Sequence, residues 1–229
     1  MRKILVGPLW FVGFDSLMEF VAFIIALAVA YQAFKGYRLT KQKTLLYVHF
    51  SFALLSAGLL IDSLAGFLGI LARTLRGAVA VTVVGYAIYF LAQALAYGIL
   101  IFAYVSQTRT MSTASISLWI APLLGSATLQ AAQGPPIKLL GPLVEYHPVS
   151  EILLLFLVFY ITVQTGLNYS ATKDGNALLV FLGFLLLALS HLLFILMPLG
   201  ALLFAIGHVL QLLGFVSLLA MLLRVTSCK

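Results

Sequence analysis

From residue 176 to residue 223 the chain is apolar almost without a break, and its one interruption is the stretch Met197-Pro198-Leu199-Gly200. Proline and glycine end a helix there, which leaves two apolar helices, each close to the roughly 20 residues that cross a bilayer core. The same length rule, applied to the rest of the chain, gives seven spans at about 9–34, 44–71, 79–106, 114–132, 149–169, 176–197 and 200–223. The fold expected is therefore all-α: a polytopic membrane protein, a single seven-helix transmembrane bundle over residues 1–229. The fourth span is the shortest and is interrupted by Pro122 and Gly125; it rests on Trp119 and its apolar flanks.

Composition agrees. With 63% hydrophobic and 8% charged residues, the chain has far more apolar surface than a soluble domain can bury. The net charge of +7 is spread over short segments between apolar runs, a pattern of topology signals that argues against a nucleic-acid partner. Cys228 is the single cysteine, so one chain builds neither an internal disulfide nor a cysteine metal cluster. The start Met1-Arg2-Lys3 imitates a secretory leader, but Asp15 and Glu19 interrupt the apolar run, and the segment is expected to remain as the first helix.

Lys35, Arg38, Lys41, Lys43, Arg109, Lys173, Arg224 and Lys229 fall on one side of the expected bundle, and Arg2, Lys3, Arg73, Arg76 and Lys138 on the other. Eight against five places the N-terminus outside and the C-terminus in the cytoplasm, for a multi-pass protein whose first partner is the lipid bilayer. Five of the six acids, Asp15, Glu19, Asp62, Glu145 and Glu151, then lie in the outer half with His147, His191 and His208. Asp174 and His49 lie toward the other side, His49 as an interfacial residue. An ionisable group at membrane depth is costly unless it is paired or faces water, so the outer half is expected to enclose a polar chamber.

Helical spacing sets the interior faces. Asp15, Glu19, Ala22 and Ala26 share one face of the first helix; Ser51, Gly58, Asp62, Ala65 and Gly69 share one of the second; Gly200, Gly207 and Gly214 recur along the last, beside His208 and Gln211. An internal repeat of two three-helix halves, joined by the fourth span, is drawn by aligning Tyr89–Gln93 with Phe204–His208. The connection from Gln133 to Pro148, rich in proline and glycine, is expected to lie over the chamber with Glu145, Tyr146 and His147 as a lid.

His191 and His208 stand on either side of the tight turn, at matched depths of roughly 10 to 12 Å for a rise of about 1.5 Å per residue. Two imidazoles so placed suit a divalent metal or a haem b, with Asp15, Glu19 and Asp62 completing a metal site. A haem needs space that adjacent helices in a tight hairpin leave scarce. The plainer alternative is that each histidine hydrogen-bonds between helices. Asp15 and Glu19 are one turn apart, so if both are buried one holds a proton. Glu151 opens its helix, where the helix dipole stabilises a carboxylate without any functional role.

The sequence has no Gly-rich phosphate loop, no Gly-x-Ser-x-Gly elbow and no His-Glu-x-x-His run, which leans against an enzyme. The last helix also lacks the interior lysine that binds retinal in microbial rhodopsins, since Arg224 and Lys229 fall past its end. In placing histidines on late helices the chain looks similar to the seven-helix zinc hydrolases of the ceramidase and adiponectin-receptor group. The likeness covers topology alone, for Leu212 stands four residues after His208, where that group has a second histidine. Three functions follow as expectations. The first is a metal- or haem-binding protein, a sensor or a subunit of a membrane redox complex with a partner chain, using His191 and His208. The second is a proton or small-cation channel or transporter using Asp15, Glu19 and Asp62. The third is a metal-dependent membrane lipid hydrolase.

Overall fold

A computed structural model describes residues 9–71, 75–107 and 148–227. Within them the chain forms six long helices: α1 (Leu9–Thr40), α2 (Lys43–Leu71), α3 (Leu75–Gln107), α4 (Pro148–Thr172), α5 (Gly175–Ile195) and α6 (Ala201–Ser227), with a 3-10 turn at Met197–Leu199 before α6. All six are long and apolar enough to cross a membrane. Six of the seven expected spans are among the described helices; the span expected at 114–132 lies outside the described residues, as do Glu145, Tyr146 and His147 of the expected lid. Most helices overrun their apolar cores, because backbone hydrogen bonding continues into polar interfacial residues such as Lys35–Thr40 of α1.

Among the described residues the backbones touch in cyclic order: α1 on α2, α2 on α3, α3 on α4, α4 on α5, α5 on α6, and α6 back on α1. Side chains fill the middle of this ring, as where Phe52 of α2 meets Phe215 of α6 at 6.0 Å between ring centroids. Outward-facing positions are apolar, among them Leu17, Ile24, Phe156 and Leu202, as a lipid environment requires. Small residues set the close approaches. A Cβ added to Gly214 of α6 would stand 2.9 Å from the Gly183 carbonyl oxygen of α5, and one on Gly58 of α2 would stand 2.8 Å from the Ala92 Cβ of α3. The expected stripes on α1 and α6 are thus interior: Ala22 and Ala26 are buried, and Gly207 and Gly214 face α5.

Helix directions follow from paired contacts. Ser63 bonds the Ser16 carbonyl while His49 meets that of Ala30, so α2 runs against α1. His208 meets Asp15 while Thr226 meets Gln32, so α6 runs with α1. Glu151 meets His191 while Tyr169 stacks on Phe181, so α4 runs against α5. Ser217 of α6 bonds the Leu179 carbonyl near the start of α5, and Gly207 lies against Phe194 near its end, so α5 runs against α6. The directions of α1, α3, α4 and α6 are therefore the same, and Gln107 and Pro148 lie at opposite ends of the bundle. One end carries exposed Lys35, Arg38, Lys41, Lys43, Lys173 and Arg224; the other gathers Asp15, Glu19, Asp62, Glu151, His191 and His208.

At the basic end, two turns repeat one another. After α1, Thr40 bonds the Gly36 carbonyl at 2.9 Å, Lys41 turns to φ 58° with its amine 5.9 Å over the Tyr37 ring, and its N–H bonds the Tyr37 carbonyl at 2.7 Å. After α4, Thr172 bonds the Asn168 carbonyl at 2.9 Å, Lys173 turns to φ 53° with its amine 5.4 Å over the Tyr169 ring, and its N–H bonds the Tyr169 carbonyl at 2.8 Å. In each turn the next residue's N–H bonds the threonine hydroxyl.

Candidate functional site

The polar end holds two clusters. The first is centred on His191, the fifth residue from the end of α5 and 2% exposed. Its Nδ1 lies 2.8 Å from Glu151 Oε2 on the first turn of α4. Its Nε2 lies 3.1 Å from both Gln93 Nε2 and the Tyr97 hydroxyl on α3, and the Gln93 amide also donates to Tyr97 at 3.1 Å. Glu151 is held in turn by the Tyr86 hydroxyl, 3.4 Å from Oε1, and that hydroxyl is 2.7 Å from Ser150 Oγ. Tyr86, Tyr89, Gln93 and Tyr97 recur at helical spacing along one face of α3.

This network has two chemically complete states. A neutral imidazole donates from Nδ1 to Glu151 and accepts at Nε2 from the Gln93 amide or Tyr97. A protonated imidazole donates at both nitrogens and needs an acceptor beyond Nε2, which the Tyr97 oxygen supplies. The Gln93 carbonyl oxygen supplies another once the amide turns over, and that oxygen is buried without a partner in the arrangement described. A buried unsatisfied acceptor is costly, and here it is the group that a protonated His191 would use.

The second cluster lies on α1, α2 and α6. His208 Nε2 is 2.9 Å from Asp15 Oδ1, but the ring N–H is not aligned on that oxygen, so the contact has ion-pair distance without hydrogen-bond direction. Three aromatic rings surround the imidazole: Phe204 at 4.5 Å, Phe194 at 5.0 Å and Phe14 at 6.1 Å between centroids. Glu19 is buried, with Asp15 one turn earlier on α1 and Asp62 of α2 in electrostatic reach. Tyr89 lies between the clusters, in reach of Glu19, Asp62 and Glu151, and receives a long 3.5 Å bond from Gln211 of α6.

The five residues expected to share a metal, His191, His208, Asp15, Glu19 and Asp62, are therefore divided. Among the described residues no three such side chains converge on one point. His191 and His208, expected as a haem pair, face different neighbours. Each imidazole is turned to a different carboxylate, and Phe194 is in ring contact with both, 6.2 Å from His191 and 5.0 Å from His208. Matched depth brought them level; helix rotation turned them apart. Glu151, expected to need no partner beyond its helix end, is the buried histidine's acid. The tyrosines of α3 went unread because a tyrosine scores with the apolar residues; their spacing with Gln93 was the available signal. His49 bonds the Ala30 carbonyl at 3.0 Å against Phe34 and Phe50, a packing role toward the basic end.

Fold and site together define an integral, multi-pass membrane protein with a carboxylate–imidazole–phenol chain buried at one end of a helical ring. No family model matches the chain, and no curated protein and no solved structure matches it either.

Proposed function

We propose that the chain is a proton-responsive membrane protein, in which Glu151, His191, Gln93 and Tyr97 hold an exchangeable proton inside the bilayer. The observation that carries this reading is the unbroken chain from Glu151 through His191 to Tyr97, with an unused acceptor on Gln93 beside it. Ionisable groups at such depth are expensive, and a carboxylate–histidine chain is a recurrent means of handling protons in membranes. Uptake of one proton turns His191 into a cation facing Glu151, and the Gln93 amide rotates to accept from Nε2. Beyond Tyr97 the interior is largely apolar, filled by Val29, Phe52, Val158, Ile161, Leu218 and Leu222, with the buried hydroxyls of Thr162 and Thr165 bonded back to their own helix and that of Ser51 buried as well. That plug favours sensing a proton over conducting it from one face to the other. The excess of lysine and arginine at the other end orients the acid-rich end outward under the positive-inside rule, so the proton comes from the outer face.

The test is nitrogen NMR of the histidine rings in the full chain, in detergent, across a pH titration. His191 is expected to pass from a neutral to a protonated ring signal, with the transition displaced in Glu151→Gln and in Gln93→Leu. A His191 signal that never moves while the protein stays folded, alike in wild type and in Glu151→Gln, would reduce the cluster to polar packing. Liposomes holding the wild-type chain are expected to show no steady proton flux; a flux lost in His191→Phe would replace sensing with conduction.

A further inference from the structure

The outward face of α1 changes character in a fixed order toward the basic end. Ile24 and Leu27 are exposed, then Tyr31 and Phe34, and beyond them Lys35 and Arg38, all at helical spacing. α2 shows the same order from its own start, where exposed Lys43 stands two turns before exposed Phe50. The two helices meet at this level. His49 lies 5.0 Å from Phe34 and 5.3 Å from Phe50 between ring centroids, and its Nδ1 donates to the Ala30 carbonyl at 3.0 Å, which fixes the imidazole between the two rings. Because α1 ends at Thr40 and α2 begins at Lys43, the cations of both helices border one patch, aromatic within the membrane and basic at its edge.

We infer that this patch holds an anionic phospholipid, with its phosphate among Lys35, Arg38 and Lys43 and its chains along Tyr31, Phe34 and Phe50. Apolar, aromatic and basic groups in that order match the chain, interfacial and headgroup layers of a single lipid. Charge complementarity selects an anionic headgroup over a zwitterionic one, since the chain from 20 to 61 contains no acid to neutralise these cations. Arg38 brings a forked set of donors suited to phosphate oxygens, and the two lysines add compact charge.

The second turn of the same build marks the patch off by contrast. Position for position, Leu167, Ser170 and Gly175 stand where Lys35, Arg38 and Lys43 stand in the first. Asp174 follows Lys173 there, and its carboxylate accepts from the N–H groups of Asn176 and Ala177 at the start of α5. The α4–α5 turn thus has a tyrosine, a threonine and a lysine in the same geometry but no surplus of charge, and it serves as an internal control. The inference is independent of the proton reading of His191, which lies at the opposite end of the bundle.

Native mass spectrometry of the full chain, released from detergent containing equal amounts of phosphatidylglycerol and phosphatidylcholine, tests it. With each cation worth up to about fivefold near an anionic surface, wild type is expected to retain phosphatidylglycerol over phosphatidylcholine by about tenfold or more. The triple variant Lys35→Gln, Arg38→Gln, Lys43→Gln is expected to lose most of that preference, and Lys173→Gln to keep it. Phosphatidylglycerol is also expected to raise the thermal unfolding temperature of wild type more than that of the triple variant, while inorganic phosphate alone leaves both unchanged. Equal retention of the two lipids by wild type would overturn the inference and give the patch to an acidic protein surface. A preference that survives in the triple variant, or is lost in Lys173→Gln, would overturn it as well. Stabilisation by inorganic phosphate equal to that by the lipid would assign the cations to a soluble anion instead. Should the triple variant not fold, the three single substitutions decide, each expected to lower the preference by about two- to fivefold.

Discussion

His191 and His208 lie at similar distances from the same turn, are both almost fully buried, and both touch Phe194, yet the two environments have little else in common. His191 has polar partners at both ring nitrogens, drawn from α3 and α4. His208 has three phenylalanines and one carboxylate that its N–H does not point at. Depth is a property of one helix and its turn. Chemistry is a property of which neighbour the helix faces: α5 lies beside α4 and its His191 reaches across to α3, while α6 lies beside α1.

The sharpest way to break this contrast is to remove each acid. Glu151→Ala strands a buried imidazole and is expected to cost about 3 kcal/mol, the range for breaking a buried pair. Asp15 is more exposed and its contact is poorly aligned, so Asp15→Ala is expected to cost no more than about 1 kcal/mol. Unfolding in mixed micelles, followed by circular dichroism, measures both; equal losses would erase the distinction between the sites. A double-mutant cycle sharpens it. Glu151→Leu and His191→Leu are expected to couple by about 2 kcal/mol, the double variant recovering much of the single losses, whereas Asp15→Leu and His208→Leu couple by under about 0.5 kcal/mol.

The glutamines extend the contrast to α3 and α6. Gln93 donates two close bonds within the His191 chain, and Gln93→Leu is expected to cost about 1.5 kcal/mol by leaving Nε2 and Tyr97 short of a partner. Gln211 makes a single bond at the 3.5 Å limit, and Gln211→Leu is expected to cost under about 0.5 kcal/mol in the same assay. A larger loss at Gln211 than at Gln93 would move the functional centre to the first half of the molecule.

Much of this was legible before any coordinates. Apolar run length located six helices within a few residues, since a bilayer's thickness fixes the length of a span. The small-residue faces of α1 and α6 were legible because burial on a helix follows its period. The gathering of acids and histidines at one end followed from counting along antiparallel helices. What could not be read was which polar group meets which. Glu151 reaches His191 because α4 lies beside α5 and starts at the depth where α5 ends, and no spacing within either helix encodes that meeting. The expected repeat used Leu-rich helix sequence, where almost any offset aligns, and paired Gln93 with His208. The repeated turns carry a firmer register because Tyr, Thr and Lys each have a defined task in them.

Those tasks offer the finest test of whether the two halves are alike. A lysine at φ near 58° or 53° pays the steric cost of the left-handed region, about 1 kcal/mol, which glycine avoids. Its amine returns part of that through the tyrosine ring, worth about 0.5 kcal/mol at an exposed site. Alanine loses the ring contact and keeps the strain. Glycine loses the contact, sheds the strain and gives back some stability through the freer unfolded chain. Lys41→Gly is thus expected to be more stable than Lys41→Ala by about 1 kcal/mol or slightly less, and Lys173→Gly to exceed Lys173→Ala by the same margin. The size of the difference matters less than its equality. Two turns built from the same residues in the same geometry must answer the same substitution alike, and unequal margins in unfolding measurements would break the likeness of the turns that follow α1 and α4.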